Sequence, residues 1–303
     1  MNQRKDFDAA EVLYKEALEL DAAEPGITRN YAIFLTNQRK DFDAAEVLHK
    51  KALELDTNDA TNTGYYAIFL ARQRKDYDAA EAMYKKALAL DTSHTDNMGN
   101  YASFLAHQRK DYDAADSIFR KALELDPSHA SNTGNCANFL AHQRKDYDAA
   151  EALYKKALEL DPSDPDFYAN LASVKLLRID LHPVDAVPWL VKQVVTLSGR
   201  KAMQSTAEAL LYGALHQELA PQGPDADMLA RLKSLLAMDY ERGLWDFDTL
   251  FAVTLPKLPL ARQAFYRSLG AAVLDRSKVA LLDGFADWQS LESVDPFAPF
   301  STG

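Results

Sequence analysis

The 303-residue chain holds one cysteine, Cys136, so it can form no internal disulfide and no multi-cysteine zinc site. That usage fits a reducing compartment, and the chain is read as cytoplasmic. No uncharged apolar run reaches membrane-spanning length, and the opening MNQRKDFDAAEVLYKEALEL lacks the apolar stretch of a signal peptide. No membrane partner is expected. Positive charge is the minority sign: 34 Lys and Arg face 45 Asp and Glu, a formal net charge of -11. The summed field opposes nucleic acid and anionic lipid surfaces alike. Residues 183–303 carry 14 acidic and 11 basic side chains, so most of the acidity belongs to residues 1–182. There is no period-two strand pattern, no G-x-S-x-G, no Walker lysine loop, no G-x-G-x-x-G and no H-E-x-x-H. The reading is therefore a non-enzymatic protein with no metal and no cofactor.

What is present is a repeat. Strings like QRKDYDAAEALYKKALELDP begin at Gln3, Gln38, Gln73, Gln108 and Gln143, 35 residues apart without insertion or deletion. A fixed period of that size marks a solenoid. Within DAAEALYKKALELD, residues Ala150, Tyr154, Ala157 and Leu158 fall on one helical face, which must be buried. Asp148 with Glu151 has capping-box spacing, and it recurs as Asp8 with Glu11, Asp43 with Glu46, Asp78 with Glu81 and Asp113 with Asp116. A second helical pattern, NTGNCANFLAHQRK, alternates with the first. Alanines 32, 67, 102 and 137 on one helix and 17, 52, 87, 122 and 157 on the other mark close antiparallel packing.

The unit resembles a tetratricopeptide repeat, with Thr133, Cys136, Ala137, Leu140, Ala150, Tyr154, Ala157 and Pro162 at the signature places of the last full copy. The tryptophan place holds Thr28, Thr63, Met98, Thr133 or Tyr168, and the glycine place holds alanine. The one residue beyond the usual 34 is placed in the QRK turn, where a longer loop would remove the need for a glycine. The resemblance implies an all-α solenoid over residues 1–182, continuous with a C-terminal helical domain over 183–303. In that second region helical patterns run at about 200–220, 225–240, 246–255, 259–275 and 276–283, and Phe297 and Phe300 of the tail are expected to dock back.

It also implies that the face of the first helices turned away from the alanines lines a concave groove. The candidate binding residues there are Arg29, Asn30, Tyr65, Arg72, Asn100, His107, Asn135, His142 and Asn170, with Ile33, Asn37, Ile68, Ser103, Asn138 and Ser173 beside them. Asparagine amides at one-repeat spacing can satisfy the backbone of an extended peptide, and Gly64, Gly99 and Gly134 leave it room. A carboxylate clamp would need lysine at those glycine places. The expected function is thus a protein-interaction scaffold taking a peptide or protein partner. Two other readings stay open: a regulatory or targeting subunit whose C-terminal region carries the main binding site, and an enzyme with an unrecognised site in 183–303.

The remaining motifs have structural readings. Asp146 with Asp148, and Asp246 with Asp248, sit before helices as caps rather than as metal ligands. Cys136 stands where other copies have Tyr31, Tyr66, Tyr101 and Leu171, as a core residue. The pairs Arg39-Lys40, Arg74-Lys75, Arg109-Lys110 and Arg144-Lys145 form a ridge that either grips an acidic partner or is balanced by adjacent aspartates. Residues 1–20 match a second helix whose first helix is missing, so Phe7, Ala10, Tyr14, Ala17 and Leu18 lack part of their cover. Such a face favours a longer array or self-association through the N-terminal helix.

Overall fold

The structure, a computed structural model, describes residues 2–177, 186–198, 203–220, 226–238, 247–298 and 300. All regular structure among them is helical. The chain divides into two compact units, Met1–Phe139 and Leu140–Gly303. The domain boundary expected at 182/183 lies outside the described residues.

The first unit runs through α1 (Asn2–Leu20), α2 (Pro25–Phe34), α3 (Phe42–Leu55), α4 (Ala60–Phe69), α5 (Tyr77–Leu90), α6 (Thr95–Phe104), α7 (Tyr112–Leu125) and α8 (Ala130–Phe139). The second helices α3, α5 and α7 each start on an aspartate two residues earlier than the capping-box spacing suggests. Asp41, Asp76 and Asp111 accept from the N–H of Ala44, Ala79 and Ala114, each at 3.1 Å. Asp43 and Asp78 instead lie in the first turn, where they and Glu46 and Glu81 hold Arg74 and Arg109 of the following repeat. Arg39 does the same with Asp8 and Glu11. Each of these guanidinium groups also covers a phenylalanine ring, Phe34, Phe69 or Phe104, at 5.6 to 5.8 Å. In this unit the arginines of the ridge are therefore committed to internal ion pairs, and the acids that balance them come from the preceding second helix.

The alanine pattern is where the helices meet: Ala32, Ala45, Ala67, Ala80, Ala87, Ala102, Ala115 and Ala122 have no exposed surface. Around them aromatic rings stack in successive repeats, Tyr14 on Tyr31, His49 on Tyr66, Tyr84 on Tyr101. In α1, Ala10, Tyr14 and Ala17 are only half-buried, whereas Ala45, His49 and Ala52 are buried. Leu13 is 64% exposed, and Leu20 protrudes into solvent.

The extra residue of the period is not in a longer loop. It widens the last turn of each first helix into a π-turn, at Leu35–Arg39, Leu70–Arg74 and Leu105–Arg109 in this unit. Each closes with the N–H of the next lysine and of the following aspartate on the same leucine carbonyl, for example Asp41 N–H to Leu35 at 3.1 Å. That closure forces Lys40, Lys75 and Lys110 to φ of 57 to 59°. The left-handed place that favours glycine is thus still there, occupied by lysine. A Cβ in that conformation costs roughly 1 to 2 kcal/mol. Lys75→Gly together with Lys110→Gly should accordingly raise the urea midpoint of the array, reflecting a gain of about 1 kcal/mol in unfolding free energy per site. A lowered midpoint would show that the lysine side chains contribute more than their strain costs.

The second unit opens with the same closure, a π-turn at Leu140–Arg144 and Lys145 at φ 59°. It continues through α9 (Tyr147–Leu160), α10 (Pro165–Leu177), α11 (Ala186–Ser198), α12 (Met203–Leu219), α13 (Ala226–Leu236), α14 (Asp248–Thr254), α15 (Leu260–Leu274), a 3-10 stretch at Arg276–Gly284 and α16 (Ala286–Ser290). α12 is the centre of this unit: every residue from Thr206 to His216 is buried, so it shows no polar stripe. Around it pack α10, α11, α13 and α15. The tail follows α13. Arg231 donates to the carbonyls of Pro296 and Ala298 and stacks on Phe300 at 4.1 Å, and Ser234 Oγ accepts from Val294 N–H. Phe300 docks as expected, on two cations, Arg231 and Lys192.

Candidate functional site

In the first unit, α2, α4 and α6 enclose an open cavity of about 520 Å³. Six of the residues expected to face the groove line it: Ile33, Asn37, Tyr65, Ile68, Arg72 and Asn100. Arg72 is exposed and pairs with no carboxylate among the described residues. Tyr65 is half-open to solvent and carries the Arg29 guanidinium over its ring at 5.5 Å. Arg29 itself is turned into the fold, donating to Asn62 Oδ1 at 2.9 Å with Asp59 at 4.0 Å. Asn30 and His107 are exposed, and Asn135 and His142 half-buried, but none of the four borders the cavity.

The last expected rung is occupied from within. Asn170 and Ser173 on α10 are each 6% exposed. On the same face of α10, Asp166 accepts from Ser205 and Ser173 hydrogen-bonds Tyr212, both of α12. Asn170 lies between those two positions in the sequence and, like Ser173, is buried.

The glycines have a different purpose from the one expected. Asn97 donates from Nδ2 to the Ala60 carbonyl at 2.9 Å, and Asn132 to Thr95 at 2.9 Å. Their Oδ1 atoms sit where a Cβ of Gly64 or Gly99 would be. Each glycine therefore admits a buried asparagine of the next repeat. Where Arg29 replaces the glycine, Asn62 Nδ2 is left buried without a partner. This second asparagine row, Asn62, Asn97 and Asn132, was legible in the sequence as N-T-G, N-M-G and N-T-G, 35 residues apart.

Other cavity residues were also missed. His94 caps α6, its Nδ1 accepting from Asn97 N–H, while its Nε2 meets Thr61 Oγ1 at 3.0 Å. Asp96, at the mouth, is held by His129 at 2.8 Å. His49 is 3% exposed and borders the cavity, standing where other copies have Tyr14, Tyr84, Phe119 and Tyr154. Burial pulls its pKa down to about 4, against a small opposing pull from Glu46, so the imidazole is neutral at ordinary pH. Neither ring nitrogen is hydrogen-bonded to a described residue.

Cys136 is 5% exposed, and burial pushes its thiol up to about 12, which leaves no thiolate for chemistry. No group of three or more His, Cys, Asp or Glu among the described residues is placed to hold a metal ion. Among those residues no helix is long and apolar enough to cross a membrane.

Family comparison agrees with the geometry. A profile described as "TPR repeat" matches residues 140–176, and one described as "Tetratricopeptide repeat" matches 70–94 and 97–129. This is a tetratricopeptide-repeat protein. Among solved structures, the tetratricopeptide-repeat fold is shared with one reported as a functional characterisation of Pseudomonas aeruginosa pilF, at 21% identity and TM-score 0.56, covering 70% of this chain and 90% of that one. The TPR protein YrrB, described with an unusual peptide-binding site, aligns at 20% identity and TM-score 0.41 over 65% of this chain and 95% of its own. No curated protein matches the sequence.

Proposed function

We propose that this TPR protein is a non-enzymatic interaction scaffold that takes an extended peptide segment of a protein partner along the first helices of its repeats. The observation that carries the reading is the open cavity between α2, α4 and α6, whose walls combine aliphatic Ile33 and Ile68 with the amides of Asn37 and Asn100. Amides there can meet both donor and acceptor of a peptide backbone, and the aliphatic surface adds affinity without demanding one sequence. Tyr65, Asn100 and Arg72 are assigned to this cavity, and Arg29, Asn30, His107 and Asn135 to its extension along the first helices of the same unit. A net charge of -11 argues against nucleic acid as the partner. The lone Cys136 supports a cytoplasmic location, and the exposed Leu13 and Leu20 of α1 support self-association through that helix.

Asn100→Ala combined with Asn135→Ala should weaken capture of the partner peptide about tenfold or more, since each lost contact to a buried group costs about 1 to 3 kcal/mol. Circular dichroism and the melting temperature should not move. Full affinity in the folded double variant would remove the asparagines from the binding surface.

A further inference from the structure

We infer that the α2–α4–α6 cavity selects acidic peptides, pairing a side-chain carboxylate of the bound segment with Arg72 and hydrogen-bonding a neighbouring hydroxyl or amide side chain through His49. The inference rests on the groove reading above and specifies its ligand. Two independent features carry it. Of the described arginines between 29 and 120, Arg29, Arg39, Arg74, Arg109 and Arg120 each have a carboxylate within ion-pair distance, and Arg72 has none. In a chain with 45 acids to 34 bases, a guanidinium left unpaired at a cavity wall is an unfilled anion site. The second feature is His49, buried, bordering the same cavity, and without a hydrogen bond to any described residue. With no described residue bonding it, the ring can take its hydrogen-bond partner from a ligand in the cavity. The neutral ring offers one donor and one acceptor, which a hydroxyl or carboxamide can meet in either tautomer.

The carboxylate is assigned to an internal Asp or Glu rather than to a chain end. Asn37, at the Arg72 place one repeat before, lines the same cavity, so the cavity extends past the arginine. Asp96, the acid at the mouth, is engaged by His129 and does not compete for Arg72. Ile33, Ile68 and Phe69 add apolar surface to the same cavity. In an extended segment alternate side chains share a face, so the carboxylate and its companion stand two or four residues apart.

The test uses the full chain and an array of acetylated, amidated ten-residue peptides. Each carries Glu, Gln, Lys or phosphoserine at one place and Thr, Asn or Val two or four residues away; a parallel set has a free C-terminus. We expect Glu peptides with Thr or Asn to bind at least tenfold more tightly than their Gln and Lys counterparts. Arg72→Gln should abolish the Glu over Gln preference. His49→Tyr, which installs the residue found at the same place in three other copies, should abolish the preference for Thr or Asn over Val while the melting curve shows a folded array. Peptide binding without a Glu preference, or a preference that survives Arg72→Gln, would overturn this inference and leave the groove reading standing. Tighter binding of phosphoserine or of free C-termini would overturn the side-chain carboxylate. If no peptide binds at millimolar concentration, the groove reading falls, and this inference with it.

Discussion

Glu208→Gln is expected to stabilise the second unit at pH 8 to 9 and to have little effect near pH 4. Glu208 lies on α12, is 2% exposed, and accepts a hydrogen bond from Gln204 at 2.9 Å. Burial, reinforced by the nearby Asp166 charge and only partly offset by Gln204, pushes its pKa from the ordinary 4.5 up to about 8. Between those two values the unfolded chain has released a proton that the folded chain keeps. Stability therefore falls as pH rises through this window, by up to about 5 kcal/mol at its alkaline end. Glutamine cannot ionise and keeps the same volume, so the variant's melting temperature should stay level where that of the parent drops. Parallel curves for the two proteins from pH 5 to 9 would show that Glu208 is solvated.

The first unit should respond in the opposite direction. His49, depressed to about 4 from 6.5, binds a proton in the unfolded chain before it does in the folded one. Acidification from pH 6.5 to 4 then removes up to about 3 kcal/mol from this unit. The tyrosine variant described above should lose that acid sensitivity.

A Cβ at Gly99 should be among the most damaging small changes in the array. Gly99→Val would drive Asn132 Oδ1 from its seat and break the Nδ2 bond to the Thr95 carbonyl, leaving the donor and acceptor of a buried amide without partners. Each stranded group costs about 1 to 3 kcal/mol, far above the helix-propensity gain of replacing glycine. We expect a loss of about 3 kcal/mol in urea unfolding. The decisive control is Asn132→Ala, which removes the obstructing oxygen: Gly99→Val should cost much less in that background. If the two changes simply add, the glycine is not there for the asparagine.

The sequence by itself determined the repeat, its length, the two helices in each copy and the alanine seam between them. These follow from periodicity, because a residue recurring every 35 positions on one helical face must meet the same surroundings in each copy. It also placed Ile33, Asn37, Tyr65, Ile68, Arg72 and Asn100 on one face, and the structure gathers those six around a cavity.

Tertiary structure decided what the periodicity could not separate. Two asparagine rows share the 35-residue spacing, and nothing local distinguishes Asn100, whose amide is left to the cavity, from Asn97, which also borders the cavity but clamps the preceding repeat. The difference lies in a contact 37 residues away in sequence. For the same reason the arginines of the turn read as a basic ridge until the preceding repeat supplies their acids, and the burial of Asn170 is not evident from its place in the repeat. The extra residue of the period could be counted in the sequence, but whether it lengthened a loop or widened a helix depended on backbone closure. The leucine carbonyl at the start of each π-turn accepts the two N–H groups that follow, and in doing so it sets the lysine in the left-handed region.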